Sequence, residues 1–455
     1  MNATQPEVHL RIGSHAEKEY FEKMLNRFDG LTVGANLVEV TPGATASLIV
    51  KLCSEAKGIP YLIDPMTYAF GSYVDPTTGQ SRIDLDWIKS DQKVKGSKGK
   101  SVVRQLKSSY QKLAEALGTV FLSACNRGRA IVPDDLLGSS IRTQVCESVL
   151  EYQLNRIRGV FSADPDYRDF ADKVPVPMAL WAPYFYIEPS RKAEWTDLNL
   201  MLAAESVSIG KSRPVYAVLC APEGFLLDNA FLESVVAGLP ETKVAGVWLW
   251  FSQFDERTAK KDELGNLRKL VKALSTSMKV YNLHGGYFSL ALSLHGLSGI
   301  AHGIGYGEQK DVVPVIGQST PTVRYYLPPL YARFGVPEIE RCFSAVGVRT
   351  PADFFTKICD CVICRGVIGS SLSNFREFGD RHLSSPSSKR LAQTPAAAKR
   401  CRFHFLLSRL RERDWIAGKS DVEILDQLKS NSAQWRPTVL SSQSEQIKVW
   451  ADVLA

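Results

Sequence analysis

The sequence predicts an α/β fold of the TIM (β/α)8 type, and three observations carry that expectation. Short β-branched apolar runs recur from residue 8 to residue 304, and helix-patterned segments separate most of them. Several runs are apolar on both faces, as strands of a parallel sheet covered by helices must be. Eight or so such units suit a closed barrel better than an open doubly wound sheet. No G-x-G-x-x-G opens an early helix, which disfavours a dinucleotide-binding fold. The glycine-rich GIAHGIGYG (299–307) comes late with a different spacing, and reads as a tight turn after a strand as readily as a phosphate loop.

The strand candidates in chain order are VHLRI (8–12), NLVEV (36–40), PYLID (60–64), AIVP (130–133), PYFYIE (183–188), PVYAVLC (214–220), AGVWLWF (245–251), KVYNL (279–283) and SGIAHGI (298–304). DERTAKKDELGNLRKLVKALS (255–275) and YFSLALSLHG (287–296) are helix-patterned. After residue 330 the pattern turns to helices and turns. We therefore expect a barrel over 1–335 and a helical subdomain over 336–455. Residues 370–398 are rich in Ser, Pro and Ala with little hydrophobic period and are expected as a flexible insertion. A final helical segment runs from about 402 to 455.

Composition bounds the function classes. The chain has 455 residues, 45% hydrophobic and 23% charged, as globular proteins have. No run approaches the roughly 18 apolar residues of a membrane span. The opening MNATQPEVHL lacks the basic and apolar regions of an export signal. Nine cysteines in a chain of this length suit a reducing compartment, so a cytoplasmic protein without disulfides or a membrane is expected. The net charge of +7 is modest, but residues 89–112 and 399–413 are strongly basic. Each alone reads as a solvated face; together they tilt the expectation toward a nucleic-acid partner.

CDCVICRG (359–366) concentrates three of the nine cysteines in a C-x-C-x-x-C array. Thiolates favour zinc, which takes four ligands tetrahedrally in structural sites. Cys359, Cys361 and Cys364 supply three. The fourth comes from His382, Cys401 or His404. His382 falls in the Ser/Pro-rich stretch, whereas His404 opens FHFLLSRLRER, whose apolar face can dock on the barrel and fix the imidazole. His404 is the expected ligand and Cys401 the alternative. A closed Cys3His set leaves no position for water, so this Zn2+ would be structural.

C-x-C-x-x-C followed by a distant helical His, after a run of βα units, resembles the tRNA-guanine transglycosylase superfamily, including its relatives that insert 7-deazaguanines into DNA. The likeness in motif covers about 355–415 and in element order about 205–415; the gap from Cys364 to His404 is longer than usual in the family. The resemblance implies a TIM barrel with a C-terminal zinc subdomain, and exchange of guanine for a free purine or 7-deazapurine base in DNA or tRNA. One carboxylate attacks the ribose C1′ and a second handles the proton of the base, as in retaining glycosidases. The early family aspartate matches Asp64 in YLIDPMTYAFG, with the downstream aromatic at Phe70, though the Ser-Gly-Gly between them is absent. A turn aspartate before Pro65 explains Asp64 equally well. Where the family carries its nucleophile this chain has Ala301 and Ile304, and the first carboxylates are Glu308 and then Asp311.

Glu308 is thus the expected displaced nucleophile. Asp255 and Glu256, after AGVWLWF, form another candidate pair at the same rim, with Asp255 expected at the substrate; a first-turn helix charge pair explains them too. Cys220, Ala221 and Pro222 replace the family's glutamine and glycines, which favours DNA over a queuine-precursor tRNA reaction. Loss of the nucleophile equally fits a non-catalytic relative that binds nucleic acid or a protein partner, and a hydrolase or lyase on the same rim is a third reading.

Overall fold

The computed structural model describes residues 5–53, 58–71, 73–74, 81–82, 89–93, 102–210, 213–305, 308, 310–312, 322–384 and 391–455, with backbone only between 73 and 105. Its centre is an eight-stranded parallel barrel. The strands are β1 Glu7–Ile12, β2 Gly30–Gly34, β3 Tyr61–Asp64, β4 Leu180–Trp181, β5 Val215–Pro222, β6 Gly246–Ser252, β7 Lys279–Asn282 and β8 Gly299–His302. β8 pairs with β1, so the chain's first and last barrel strands meet. Helices Pro42–Cys53, Ser139–Ala163, Lys192–Ile209, Asn229–Glu241 and Lys261–Leu274 alternate with the strands.

The barrel is nearly rather than fully laddered. At the β3–β4 seam Met178 N donates to Tyr61 O at 3.0 Å. The two-residue β4 would leave backbone groups unpaired on that side, and buried unpaired groups are costly. Gln153 of helix Ser139–Ala163 replaces the missing strand: its side chain donates to Trp181 O at 2.8 Å and accepts from Trp181 N at 2.8 Å.

The sequence reading of the strands holds at β1, β3 and β5 to β8 and fails in three places. NLVEV lies in helix Ala35–Val40, and the strand is the preceding Gly30–Gly34. AIVP contributes one isolated bridge, Ile131 to Gly71. PYFYIE is extended loop, with β4 just before it. In each case apolar burial is real but comes from packing, which run composition cannot separate from strand pairing.

The interior is filled by aromatic rings against small residues. Trp248 of β6 stacks on Tyr281 of β7 at 4.4 Å, with His9 of β1 edge-on at 5.4 Å and Trp181 of β4 at 5.5 Å. Gly30 of β2 makes room for His9: a Cβ there would lie 2.1 Å from the imidazole. At Gly299 the close approach is backbone, with a Cβ placed 2.3 Å from Glu7 O across the β8–β1 pair.

The C-terminal helices clamp the barrel. Trp450 Nε1 and Gln446 Nε2 both donate to Glu256 O at 2.9 Å. Tyr331 stacks on Tyr287 at 3.5 Å. The basic stretch 399–413 is spent in this docking. Lys399 pairs with Glu19, Arg402 lies over the Tyr20 ring, Arg411 pairs with Asp360 at 2.5 Å and Arg413 with Asp29 at 2.9 Å. Those cations read in sequence as a nucleic-acid face; in the fold Lys399, Arg402 and Arg413 hold the lobe to the barrel, and Arg411 pairs within the lobe. Of the other basic stretch, 94–101 lies outside the described residues.

Within 370–398, Leu372–Gly379 is a 3-10 run with Phe375 and Phe378 buried, and Arg381–Leu383 pairs with Leu391–Gln393 as a short hairpin. The remainder, 385–390, lies outside the described residues. No helix among the described residues is long and apolar enough to cross a membrane.

Gly299→Ala must push backbone apart at the β8–β1 pair, so it is expected to cost about 2 kcal/mol or more in denaturant unfolding. Gly265→Ala, where a Cβ meets nothing within 4 Å on helix Lys261–Leu274, should be neutral or stabilising by up to about 1 kcal/mol.

Candidate metal centre and barrel-mouth site

Cys359, Cys361 and Cys364 follow helix Pro351–Lys357, and Cys361 caps helix Val362–Ile368 with its sulfur accepting from Cys364 N at 3.4 Å. His404 projects from the long helix Pro395–Ala417, whose Thr394 cap fixes its start. All four side chains are buried and their ligand atoms lie within 4.8 Å of one another, a group able to hold a metal ion. His404 Nε2 donates to Tyr326 O at 2.6 Å. That bond assigns the proton to Nε2 and turns a bare Nδ1 to the sulfurs, the arrangement metal-ligating histidines use. Tyr325 stacks flat on the imidazole at 4.2 Å and its hydroxyl lies 3.3 Å from Cys364 Sγ. Phe375 and Phe378 close over Tyr325 at 5.0 and 4.9 Å, which is why the supposed insertion is ordered there.

The alternatives for the fourth ligand fall elsewhere. The Cys401 thiol donates to Phe378 O at 3.3 Å, and burial pushes it up to about 12. His382 is exposed on the hairpin.

The second site is at the C-terminal ends of the strands, where TIM barrels carry their chemistry. Asp64 ends β3 and is fully buried. Its Oδ2 accepts from Arg11 Nη2 at 2.7 Å; its Oδ1 accepts from the Tyr184 hydroxyl at 2.8 Å and from Met66 N at 2.9 Å. Tyr68 stacks on Tyr184 at 5.5 Å and meets the edge of Trp250 at 4.9 Å. Lys310, on the loop after β8, lies 5.0 Å from the Trp250 ring centre and donates to the Tyr68 hydroxyl at 3.3 Å. Burial and the neighbouring Arg11 charge push Lys310 down to about 7. Trp250 Nε1 holds Lys310 O at 3.1 Å, and Ser252 and Gln253 hold the Asp311 carboxylate at 3.0 and 2.9 Å. The end of β6 thereby fixes the β8 loop.

Glu308 sits on the same loop but turns to the helical lobe. It pairs with Arg333 and, at 2.5 Å, with the wholly buried Arg409, which also binds Glu412 at 2.7 Å. Burial alone would raise its pKa; Arg333 and Arg409 overcome that and hold it at about 2. Its partners Arg333 and Arg409 are not those of Asp64, which are Arg11, Tyr184 and Met66. Asp255 forms a forked pair with Arg257 at 2.8 and 2.7 Å. Glu256 accepts from Gly286 N at 2.9 Å and Phe288 N at 3.1 Å, capping the short helix Tyr287–Ala291, and burial raises it to about 7. Phe70 packs between Tyr110 and Phe121.

Arg11, Tyr184 and Lys310 escaped sequence reasoning. The signal for Arg11 was a guanidinium inside the mostly apolar strand VHLRI, where a buried charge demands a partner. Lys310 and Tyr184 carried no such mark. No family model matches this sequence, and no curated protein is similar to it at a significant level.

Purified protein should contain about one metal ion per chain. Cys361→Ser should lose it and expose the C-terminal lobe to limited proteolysis while the barrel remains protected; a metal-free, protease-resistant parent would refute the centre. Glu308→Gln strands Arg409 and Arg333 in the interface and should cost about 3 kcal/mol. Because Glu308 is depressed from 4.5 to about 2, its contribution is complete above pH 4.5 and is lost as pH falls through 2. Parent and variant stability curves should therefore converge in acid.

Proposed function

We propose that the protein is a nucleic-acid base-exchange enzyme whose reaction runs at Asp64 and whose C-terminal lobe is built on a structural zinc, in a reducing, cytoplasmic setting. For zinc, bonds of about 2.3 Å to sulfur and about 2.05 Å to nitrogen give a tetrahedral S–N edge of about 3.5 Å. The distances from His404 Nδ1 to Cys359, Cys361 and Cys364 Sγ are 3.8, 3.5 and 3.4 Å. The donor set and these edges support zinc, and a closed set with no position for water supports a structural role.

The observation that carries the catalytic reading is the setting of Asp64: a carboxylate at a barrel strand's end, facing aromatic rings and a half-buried lysine. A carboxylate offers about four lone-pair positions, and Asp64 uses three, with one left on Oδ2 beside Arg11. That lone pair is suited to attack C1′ of an extruded nucleoside, forming an ester-linked glycosyl intermediate as the base departs. Tyr184 and Met66 N orient the carboxylate, and Arg11 fixes its plane. Glu308 and Asp311 are the carboxylates of the β8 loop; Asp311 is held by Ser252 and Gln253, and both it and Asp64 act on the Cys220 thiol.

The rival reading, a non-catalytic nucleic-acid- or partner-binding relative, is favoured by the same hydrogen bonds, which hold Asp64 and Glu308 in the resting protein. Incubation with radiolabelled guanine and either duplex DNA or tRNA separates the two. Exchange into one polymer is expected, and Asp64→Asn should lower it about 10²–10⁴-fold. Polymer binding without exchange of any purine would establish the rival, and full activity in Asp64→Asn would overturn the assignment of Asp64.

A further inference from the structure

We infer that Arg11 and Lys310 form the pocket for the departing base and take the acceptor edge, O6 and N7, of a 6-oxopurine. This rests on the base-exchange reading and names its substrate class and acid. Arg11 uses Nη2 on Asp64, while its Nη1 is buried with no hydrogen-bond partner. A guanidinium half of whose fork is unused and dry calls for an acceptor from a ligand. The second donor, Lys310 Nζ, has its hydrogen bond to Tyr68 at 3.3 Å and otherwise rests on the Trp250 ring.

Charge points the same way. Around Lys310 the ionisable groups are Arg11, Asp64, Cys220 and Tyr68. Burial pushes the Cys220 thiol and the Tyr68 phenol well up, so both stay neutral. The Asp311 carboxylate, next in the chain, is turned to Ser252 and Gln253 at 3.0 and 2.9 Å, so the carboxylate acting on Lys310 is Asp64, which already accepts three hydrogen bonds. Arg11 and Lys310 together suit a group that becomes negative as it leaves. A purine expelled from C1′ keeps the bonding pair on N9, with charge spread onto O6 and N7. An adenine-type edge, with an amine in place of O6, would set donor against donor.

The step balances. An Asp64 oxygen forms a bond to C1′ as C1′–N9 breaks. The Lys310 ammonium gives its proton to N7, the base departs as the neutral 7H tautomer, and Lys310 is left as the amine. Entry of the second base returns a ring N–H proton to Lys310 as its C1′–N bond forms and the ester breaks. A lysine near 7 is matched to giving and taking a proton at neutrality. No residue after β8 need supply a second carboxylate for the proton.

The test uses the full chain, with hypoxanthine (which carries the O6/N7 edge) and adenine as calorimetric probes. The parent should bind hypoxanthine at least about 10-fold more tightly than adenine, and Lys310→Met should abolish that preference while its melting temperature stays near the parent's. Lys310→Arg should keep the preference yet lose exchange, because arginine does not release its proton, and the loss should fall on kcat rather than KM. Equal binding of the two purines, or no hypoxanthine binding at millimolar concentration, would overturn the pocket. Exchange with an unchanged rate and pH profile in Lys310→Met would overturn it too and leave the base-exchange reading standing. Lys310-dependent hypoxanthine binding without any exchange would sustain the pocket and overturn the enzyme.

Discussion

The fold turns on a buried ionic junction between Glu308, Arg333, Arg409 and Glu412. Arg409 is wholly buried on the long C-terminal helix, and the carboxylates that neutralise it come from the β8 loop and from its own helix. Removing either class of partner would leave a charge in a medium that solvates it poorly. Helix and loop therefore have one mutual placement. Parts of both candidate sites share that placement: His404 projects from the same helix about one turn earlier, and Lys310 and Asp311 follow Glu308 on the same loop. The Tyr326 hydroxyl closes the junction by donating to Glu412 at 2.6 Å, while the Tyr326 carbonyl fixes the His404 tautomer. One residue thus ties the ionic junction to the Cys3His cluster.

The Cys3His cluster and the barrel mouth are consequently distinct in composition yet joined in structure. The cysteine array forms one wall of the helical lobe, and the lobe delivers Arg409 and Arg333 to the β8 loop. From the other side, β6 clasps that loop through Trp250, Ser252 and Gln253. Held at both flanks, Lys310 stays over an aromatic ring and near Arg11 although like charges repel there. The mouth keeps an unused guanidinium donor and a depressed lysine because neighbouring packing prevents either from swinging to solvent.

The same junction explains why Glu308 reads ambiguously. In the linear sequence it is the first carboxylate after the last barrel strand, which is where a nucleophile would be sought. In the fold its partners are the arginines of the lobe. The basic stretch 399–413 undergoes the same reversal. Its cations look like a polyanion-binding face when read along the chain, but lie along a helix whose neighbours supply Glu19, Asp29, Asp360 and Glu308.

By itself the sequence determined the barrel class, the position of most strands and the three-cysteine array. These follow from local rules: the period of apolar residues decides burial, and three thiols within six positions cannot avoid one another. It also placed Asp64 at a strand end. Only the tertiary structure decided which apolar runs pair as strands, that Gln153 stands in for a missing β4 partner, and that His404 rather than Cys401 faces the thiolates. It alone brought Arg11, Tyr184 and Lys310, separated by up to 299 positions, around Asp64. Such contacts depend on which strand ends share a rim and on which charges a distant helix neutralises, and neither is encoded within any one stretch of the chain.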